Sequence, residues 1–273
     1  MRPVATLTAA AAREAMIGSG PIENVKFPAG FKWDRQAAHR RFSAVDLSGV
    51  QIAGGFLSRP LFDGCVFEDV LLPGASLRKA EFRDCSFLRV AFGPKALTPI
   101  ERTVFLDCRF DQVLMSEVNA VESRFERCDF RGLDGRRIRF RESQLIDTAF
   151  AGTMTTCNFV SCELRNVDLS EAELADIGLV KNDFNGVSLP DREDNFFVPP
   201  ALFQTAANSI ADELSPESRA TLLKLAQIVG TSSAPVECVH RSQFDSMSEP
   251  EIDMVLGALR PCRVLGPQHA RRP

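Results

Sequence analysis

Cys238 and His240, two residues apart, are the side chains in this sequence best suited to covalent chemistry, since a thiol and an imidazole can serve as a nucleophile and its general base. Together with Cys262 and His269 they also provide four zinc-type ligands, in the order C-x-H, a long gap, then C-x6-H. That spacing matches no standard tetrahedral zinc site. Neighbours in sequence need not meet in space, so a catalytic role for Cys238 and His240 requires a cleft that holds both. The sequence contains no phosphate-binding glycine loop and no defensible Ser-His-Asp arrangement. The expectation is therefore a protein that is not an enzyme and needs neither metal nor cofactor, with a catalytic C-terminal module as the minor alternative.

Two charged stretches are candidates for recognition. Arg131, Arg136, Arg137, Arg139 and Arg141 form the densest basic run and could contact phosphate or an acidic partner. The simpler reading is a solvated outer face. No aromatic residues suited to stacking bases interleave with it, so direct nucleic-acid binding is not expected. Between Glu142 and Pro190, eight carboxylates face only Arg165 and Lys181, and Glu163, Asp168, Glu171, Glu173 and Asp176 form a candidate acidic face. The formal net charge of -4 is too small to name a partner by itself.

The remaining cysteines point to the elements that must position everything else. Cys65 and Cys85 are 20 residues apart, as are Cys108 and Cys128. The same interval organises the large apolar residues, which recur every five residues: Phe42, Leu47, Ile52, Leu57, Phe62, Phe67, Leu72, Leu77, Phe82, Phe87, Phe92, Leu97. The phase slips by three and resumes at Phe105, Phe110, Met115, Ala120, Phe125, Phe130, lapses at Gly135, and continues through Phe140, Leu145 and Phe150. A second slip of one residue near Met154 leads to Phe159, Leu164, Leu169, Leu174, Leu179, Phe184 and Leu189.

A period of five fits neither a helix nor a strand. It fits a chain that turns a corner every five residues, so that four corners close a coil of 20. Positions 20 apart must then stack. One face reads Leu47, Phe67, Phe87, Phe110, Phe130, Phe150, Leu169, Leu189, and the face before it reads Phe42, Phe62, Phe82, Phe105, Phe125, Leu145, Leu164, Phe184. Two residues before the first of these faces stand Val45, Cys65, Cys85, Cys108, Cys128, Thr148, Val167 and Val187, all small or β-branched, as an inward corner would demand. A composition of 21 Phe, one Trp and no Tyr suits a dry interior that wants rings without hydroxyls. The buried thiols act as small apolar fillers, and a core that relies on reduced cysteine suits a reducing compartment. About seven coils at the strand spacing give a rod roughly 34 Å long. The slip over Thr98, Pro99, Ile100, Glu101 and Arg102 is expected to be an outward loop. Gly135 is expected to mark a bulge.

The pattern resembles the pentapeptide-repeat family, whose unit is A-(D/N)-L-x-x with Phe often in place of Leu. The matches that carry the resemblance are Val45-Asp46-Leu47-Ser48-Gly49, Cys128-Asp129-Phe130-Arg131-Gly132 and Val167-Asp168-Leu169-Ser170-Glu171. The resemblance implies a right-handed quadrilateral β-helix, mainly β; a small α-helical C-terminal module is read beside it from the residues that follow the repeat. It also implies a non-enzymatic scaffold for protein-protein interaction as the leading function. A second implied role is protection of DNA gyrase or topoisomerase by DNA mimicry, which requires acidic faces running unbroken along the rod. A third is a bacterial effector delivered into host cells, which requires a disordered start.

Three segments follow: a tail and cap over residues 1–41, the repeat over 42–190, and a helical module over 191–273. In the last, helices are expected from Ala201 to Glu213, from Ser215-Pro216 to about Val229, and from Ser248-Glu249-Pro250 onward, with a frayed tail from Pro267 to Pro273. These helices are the candidate dimer interface or docking site for a protein partner. No run is long and apolar enough to span a membrane. The start lacks the apolar core of a Sec signal peptide, so a cytoplasmic protein is expected, with export into a host without such a signal as the alternative.

Overall fold

The computed structural model describes residues 5–18, 20–33, 39–52, 56–72, 75–93, 98–193, 195–232, 234 and 236–264. His269, Leu97 and the tail from Pro267 lie outside them. From Ala5 to Asn185 the strands pair only in parallel, each with the segment one coil away. One face is a nine-stranded ladder through Ile22, Phe42, Phe62, Phe82, Phe105, Phe125, Leu145, Leu164 and Phe184. The other three faces merge into one sixteen-stranded sheet, because Asp129–Arg136, Ala149–Val160 and Asp168–Val180 run round corners without a break. The chain is thus a four-sided parallel β-solenoid of pentapeptide repeats, with eight turns between the first and last of its nine rungs.

The interior explains the sequence columns. Phe62, Phe82, Phe105 and Phe125 stack face to face at 4.8–4.9 Å, and Phe67, Phe87, Phe110 and Phe130 stack at 4.2–4.8 Å beside them. The two columns meet edge to face, as with Phe62 on Phe67 at 5.3 Å and 71°. Offset stacking along the axis and T-shaped contact across it are the two favoured arrangements of aromatic quadrupoles. The corners have their own requirement. Two residues after many inward centres the backbone is left-handed, with φ of 55° at Asp69, 52° at Arg89 and 50° at Arg127. Such a residue costs roughly 1–2 kcal/mol unless glycine or a short polar side chain relieves it. Its N–H reaches the next coil, as in Asp69 N to Leu88 O at 3.0 Å and Arg127 N to Ile146 O at 2.9 Å.

Several expectations need correction. The solenoid starts about twenty residues before Phe42: Ile22 pairs with Phe42, Phe27 N donates to Asp46 O, and Trp33 pairs with Ile52. Six residues rather than five separate Phe27 from Trp33, which hides this coil from a strict period. Thr98–Glu101 is not an outward loop. It is a strand between Ser76–Arg78 and Val118–Val121, with Thr98 and Ile100 buried, so Ile100 takes the inward place of that rung. The extra residues therefore fall between Phe92 and Thr98. Nor does the chain bulge at Gly135, which stays in register with Met115 and Met154. The Ile138 side chain fills the room, since a β-carbon on Gly135 would meet its Cδ1 at 2.8 Å. The register shift sits one corner away, where Gly152, at φ +123°, lies against the Leu133 backbone. The inward corners also admit more than small residues, since Leu133 and Ile138 are both buried there.

Both ends of the rod are covered. At the start, Ala5–Thr6 adds a short strand beside Val25–Lys26, and helix α1 (Ala9–Ile17) follows with Thr8 as its N-cap. Ala12 of α1 is buried in the rod core, and Arg40 Nη2 donates to Ala15 O at 2.8 Å. At the far end a feature absent from the sequence reading appears: Asn195–Val198 pairs antiparallel with Glu237–His240. This two-stranded plate is buried on both sides. Phe197, Val236 and Cys238 join the rod core, while Phe196, Val198 and Val239 join the core of the helices. Over it lie α2 (Pro200–Ile210), α3 (Pro216–Gly230) and α4 (Glu249–Leu259), close to where capping residues and prolines predict them. Arg263 ties the segment after α4 to the strand pair. It donates to Asn195 O at 3.0 Å, pairs with Asp191 at 2.8 Å and lies over the Phe196 ring.

Candidate functional site

Cys238 and His240 turn to different hydrogen-bond partners. The Cys238 side chain is buried in the junction between rod and cap, donating to Asn195 Oδ1 at 3.7 Å. The His240 ring turns instead to Ser242, with Nδ1 2.7 Å from Oγ and accepting the Ser242 N–H at 3.1 Å, at the start of a short 3-10 helix. Cys262 lies beyond the end of α4, with its sulfur toward the Leu202 and Ala258 carbonyls. Among the described residues no group of three or more His, Cys, Asp or Glu is arranged to hold a metal.

The other thiols form a ladder. Cys65, Cys85, Cys108 and Cys128 stand one coil apart, each donating to a carbonyl of the previous coil: Phe42, Phe62, Phe82 and Phe105, at 3.5–3.6 Å. Thr148 continues the column with a hydroxyl bond to Phe125 O at 3.2 Å. The neighbouring thiols of Cys108 and Cys65, and then burial, push the Cys85 thiol far above its usual range. Burial pushes Cys128 up in the same way, and Cys157, in another corner, to about 11. Cys85, Cys128 and Cys157 are held neutral and enclosed, the reverse of what a reactive cysteine needs. Phe67, Phe87, Phe110, Phe130 and Phe150 are buried in the adjoining column.

A second polar ladder went unread in the sequence. Thr103, Ser123 and Ser143 stand two residues before Phe105, Phe125 and Leu145. Each hydroxyl donates to a carbonyl of the coil before, at 3.1–3.3 Å, while Thr103 N and Ser123 N donate to the next hydroxyl along. The same 20-residue arithmetic, applied to that column, finds it.

The basic run does not make a patch on one face. Arg131 lies beside Asp111 on the Phe110 face, and Arg136 beside Ser116 on the Met115 face. Arg137 occupies the following corner, and Arg139 and Arg141 flank Phe140 on the third face. The five side chains therefore ring one coil. Arg131, Arg136 and Arg137 are paired with Asp129, Asp134 and Glu117 at 2.7–3.3 Å. The carboxylates are spread in the same manner. Glu163 lies on the nine-stranded face, Asp168 on the next, Glu171 and Glu173 beyond it, and Asp176 at a corner. Glu173 reaches Arg192 at 3.4 Å, and Asp168 accepts the Ser170 N–H.

Alternating charge is the rule along the rod. Arg89 pairs with Asp69, Arg102 with Glu122 and Arg127 with Asp107 from coil to coil, while Arg83 pairs with Glu81 within a strand. The Arg partners hold Asp69, Asp107 and Glu122 below the usual carboxylate range. Large apolar side chains are exposed at Val66 and Leu71 on the rod as well as at both of its covered ends. On the C-terminal helices Leu202 is 47% and Ile228 60% exposed. Gly230 of α3 faces the Gln204 side chain of α2, so these two residues lie at one end of the α2–α3 pair. Among the described residues no helix is long and apolar enough to cross a membrane.

No protein-family model and no curated protein matches the chain. Solved structures similar to it include pentapeptide-repeat proteins. The full-length plasmid-mediated fluoroquinolone resistance protein QnrB1 aligns at 18% identity and a TM-score of 0.35, over 59% of this chain and 93% of that one. HetL, a pentapeptide-repeat protein involved in heterocyst differentiation regulation in the cyanobacterium Nostoc sp. strain PCC 7120, aligns at 13% and 0.27, over 66% and 95%. Rfr23 of the cyanobacterium Cyanothece 51142 aligns at 12% and 0.17, over 63% and 89%.

Proposed function

We propose that the protein is a non-enzymatic scaffold: a rigid rod whose C-terminal helices dock a protein partner, in the first instance a second copy of the chain. The observation that carries this reading is the solvent exposure of Leu202 and Ile228 at one end of α2 and α3, on a module otherwise well packed. Large apolar side chains left bare on a packed module are candidates for an association surface. The two-sided plate beneath them transmits the rod's rigidity to the helices, which favours docking at low entropic cost. The test is the solution mass of the whole chain beside Leu202→Asp/Ile228→Asp. A dimer that the double variant dissociates supports the reading. Truncation before Asn195 is no substitute, because it would remove Phe197, Val236 and Cys238 and bare the rod core they cover.

The alternatives draw less support. DNA mimicry calls for unbroken acidic faces, and here Arg131 to Arg141 interrupt three of the four. Delivery as an effector calls for a disordered start, and residues 9–17 are a capped helix docked on the rod.

A further inference from the structure

The covered N-terminal end of the rod is not fully closed. A cleft of about 520 Å³ lies between α1 and the first coil, lined by Met16, Ile17, Phe31 and Trp33 with Arg13 and Lys32 among its walls. Ile17 is 65% exposed, the largest value among the exposed apolar residues described. The volume falls in the range of small-molecule sites, which combine apolar walls with a few polar groups that fix orientation. Among the described residues no carboxylate lines the cleft, and neither Arg13 nor Lys32 has an ion-pair partner. That contrasts with the rod, where cation after cation is matched to Asp or Glu.

We infer that this cleft binds a small amphipathic carboxylate, its apolar chain against Met16, Ile17 and Phe31 and its carboxylate between Arg13 and Lys32. A guanidinium and an ammonium among the walls select an anion, and charge-assisted hydrogen bonds fix its head. An uncharged apolar molecule would gain only the walls, and a cationic amphiphile would be repelled.

The protein carries its own reporter. Trp33 is the sole tryptophan, there is no tyrosine, and Trp33 lines the cleft with its ring packed on Phe42 at 5.3 Å. Its emission can be followed while the whole chain is titrated with decanoate below its micelle concentration, beside decanol and decyltrimethylammonium. The expected result is a saturable shift with decanoate, at least about tenfold weaker binding of decanol, and none of the ammonium. Arg13→Ala/Lys32→Ala should weaken decanoate at least about tenfold and leave decanol unchanged. Both cations are exposed, so the variant is expected to fold; unchanged emission without ligand checks that. No saturable change with decanoate, equal binding of the ammonium, or decanoate binding untouched in the double variant would each overturn the proposal.

Discussion

At the residue scale the rod is held by columns, and a column tolerates little variation. Phe110 stacks on Phe87 at 4.6 Å and Phe130 at 4.2 Å, so Phe110→Ala opens a hole shared by three coils. A loss of about 3–5 kcal/mol is expected in chemical denaturation. Cys108→Ser keeps a donor for the Phe82 carbonyl and should be mild. Cys108→Leu must force branched carbons into the corner and should cost about 1–3 kcal/mol. Gly152→Ala is the sharpest backbone case: its φ is +123° and a β-carbon would lie 2.4 Å from the Leu133 carbonyl oxygen. It should lower the denaturation midpoint more than Gly20→Ala, where a β-carbon meets nothing. The Phe and Cys columns were legible because position 20 residues on carries the same volume. The left-handed corners were not, because Arg, Glu, Lys and Asp all occupy them, and what they share is backbone geometry rather than side-chain type.

At the element scale the informative residues are those that join one element to another. Arg40 is buried at the edge of the first coils and holds α1 through Ala15 O. Arg40→Ala should raise amide exchange across Ala9–Ile17 while leaving the middle coils protected, since solenoid stability is local. Glu251 links the C-terminal helices. It accepts from Ser248 N and Oγ at the start of α4, and from Ser215 N and Ser218 Oγ of α3, at 2.7–3.1 Å. The Ser248 hydroxyl first, then Ser215, hold its carboxyl well below the usual range. A carboxylate lowered in the folded state stabilises above its unfolded pKa, near about 4.3, and loses that contribution as pH falls through the folded value. Wild type should therefore melt above Glu251→Gln at neutral pH, and the gap in Tm should close only as the solution becomes strongly acid. A gap that is flat throughout would count against the link. The helices were readable from Ser215-Pro216 and Ser248-Glu249-Pro250. The first coil and the strand pair were not. Trp33 breaks the period by one residue, and Asn195–Val198 is buried on both faces, so it shows no alternation.

At the scale of the whole molecule, recognition falls to the surface, since the rod's cysteine ladder and stacked rings are sealed inside. Many of the rod's charges are exposed and paired, each pair contributing about 0–1 kcal/mol and less as salt rises. High salt should therefore leave the rod folded, with only a small shift in Tm. If recognition falls to the C-terminal helices, light scattering on the full chain reads it out. For a 30.1 kDa chain the expected mass is about twice that value, falling to the monomer in Leu202→Asp/Ile228→Asp with the circular dichroism of the fold retained. A monomer in both proteins, or a dimer that survives the double substitution, would contradict it.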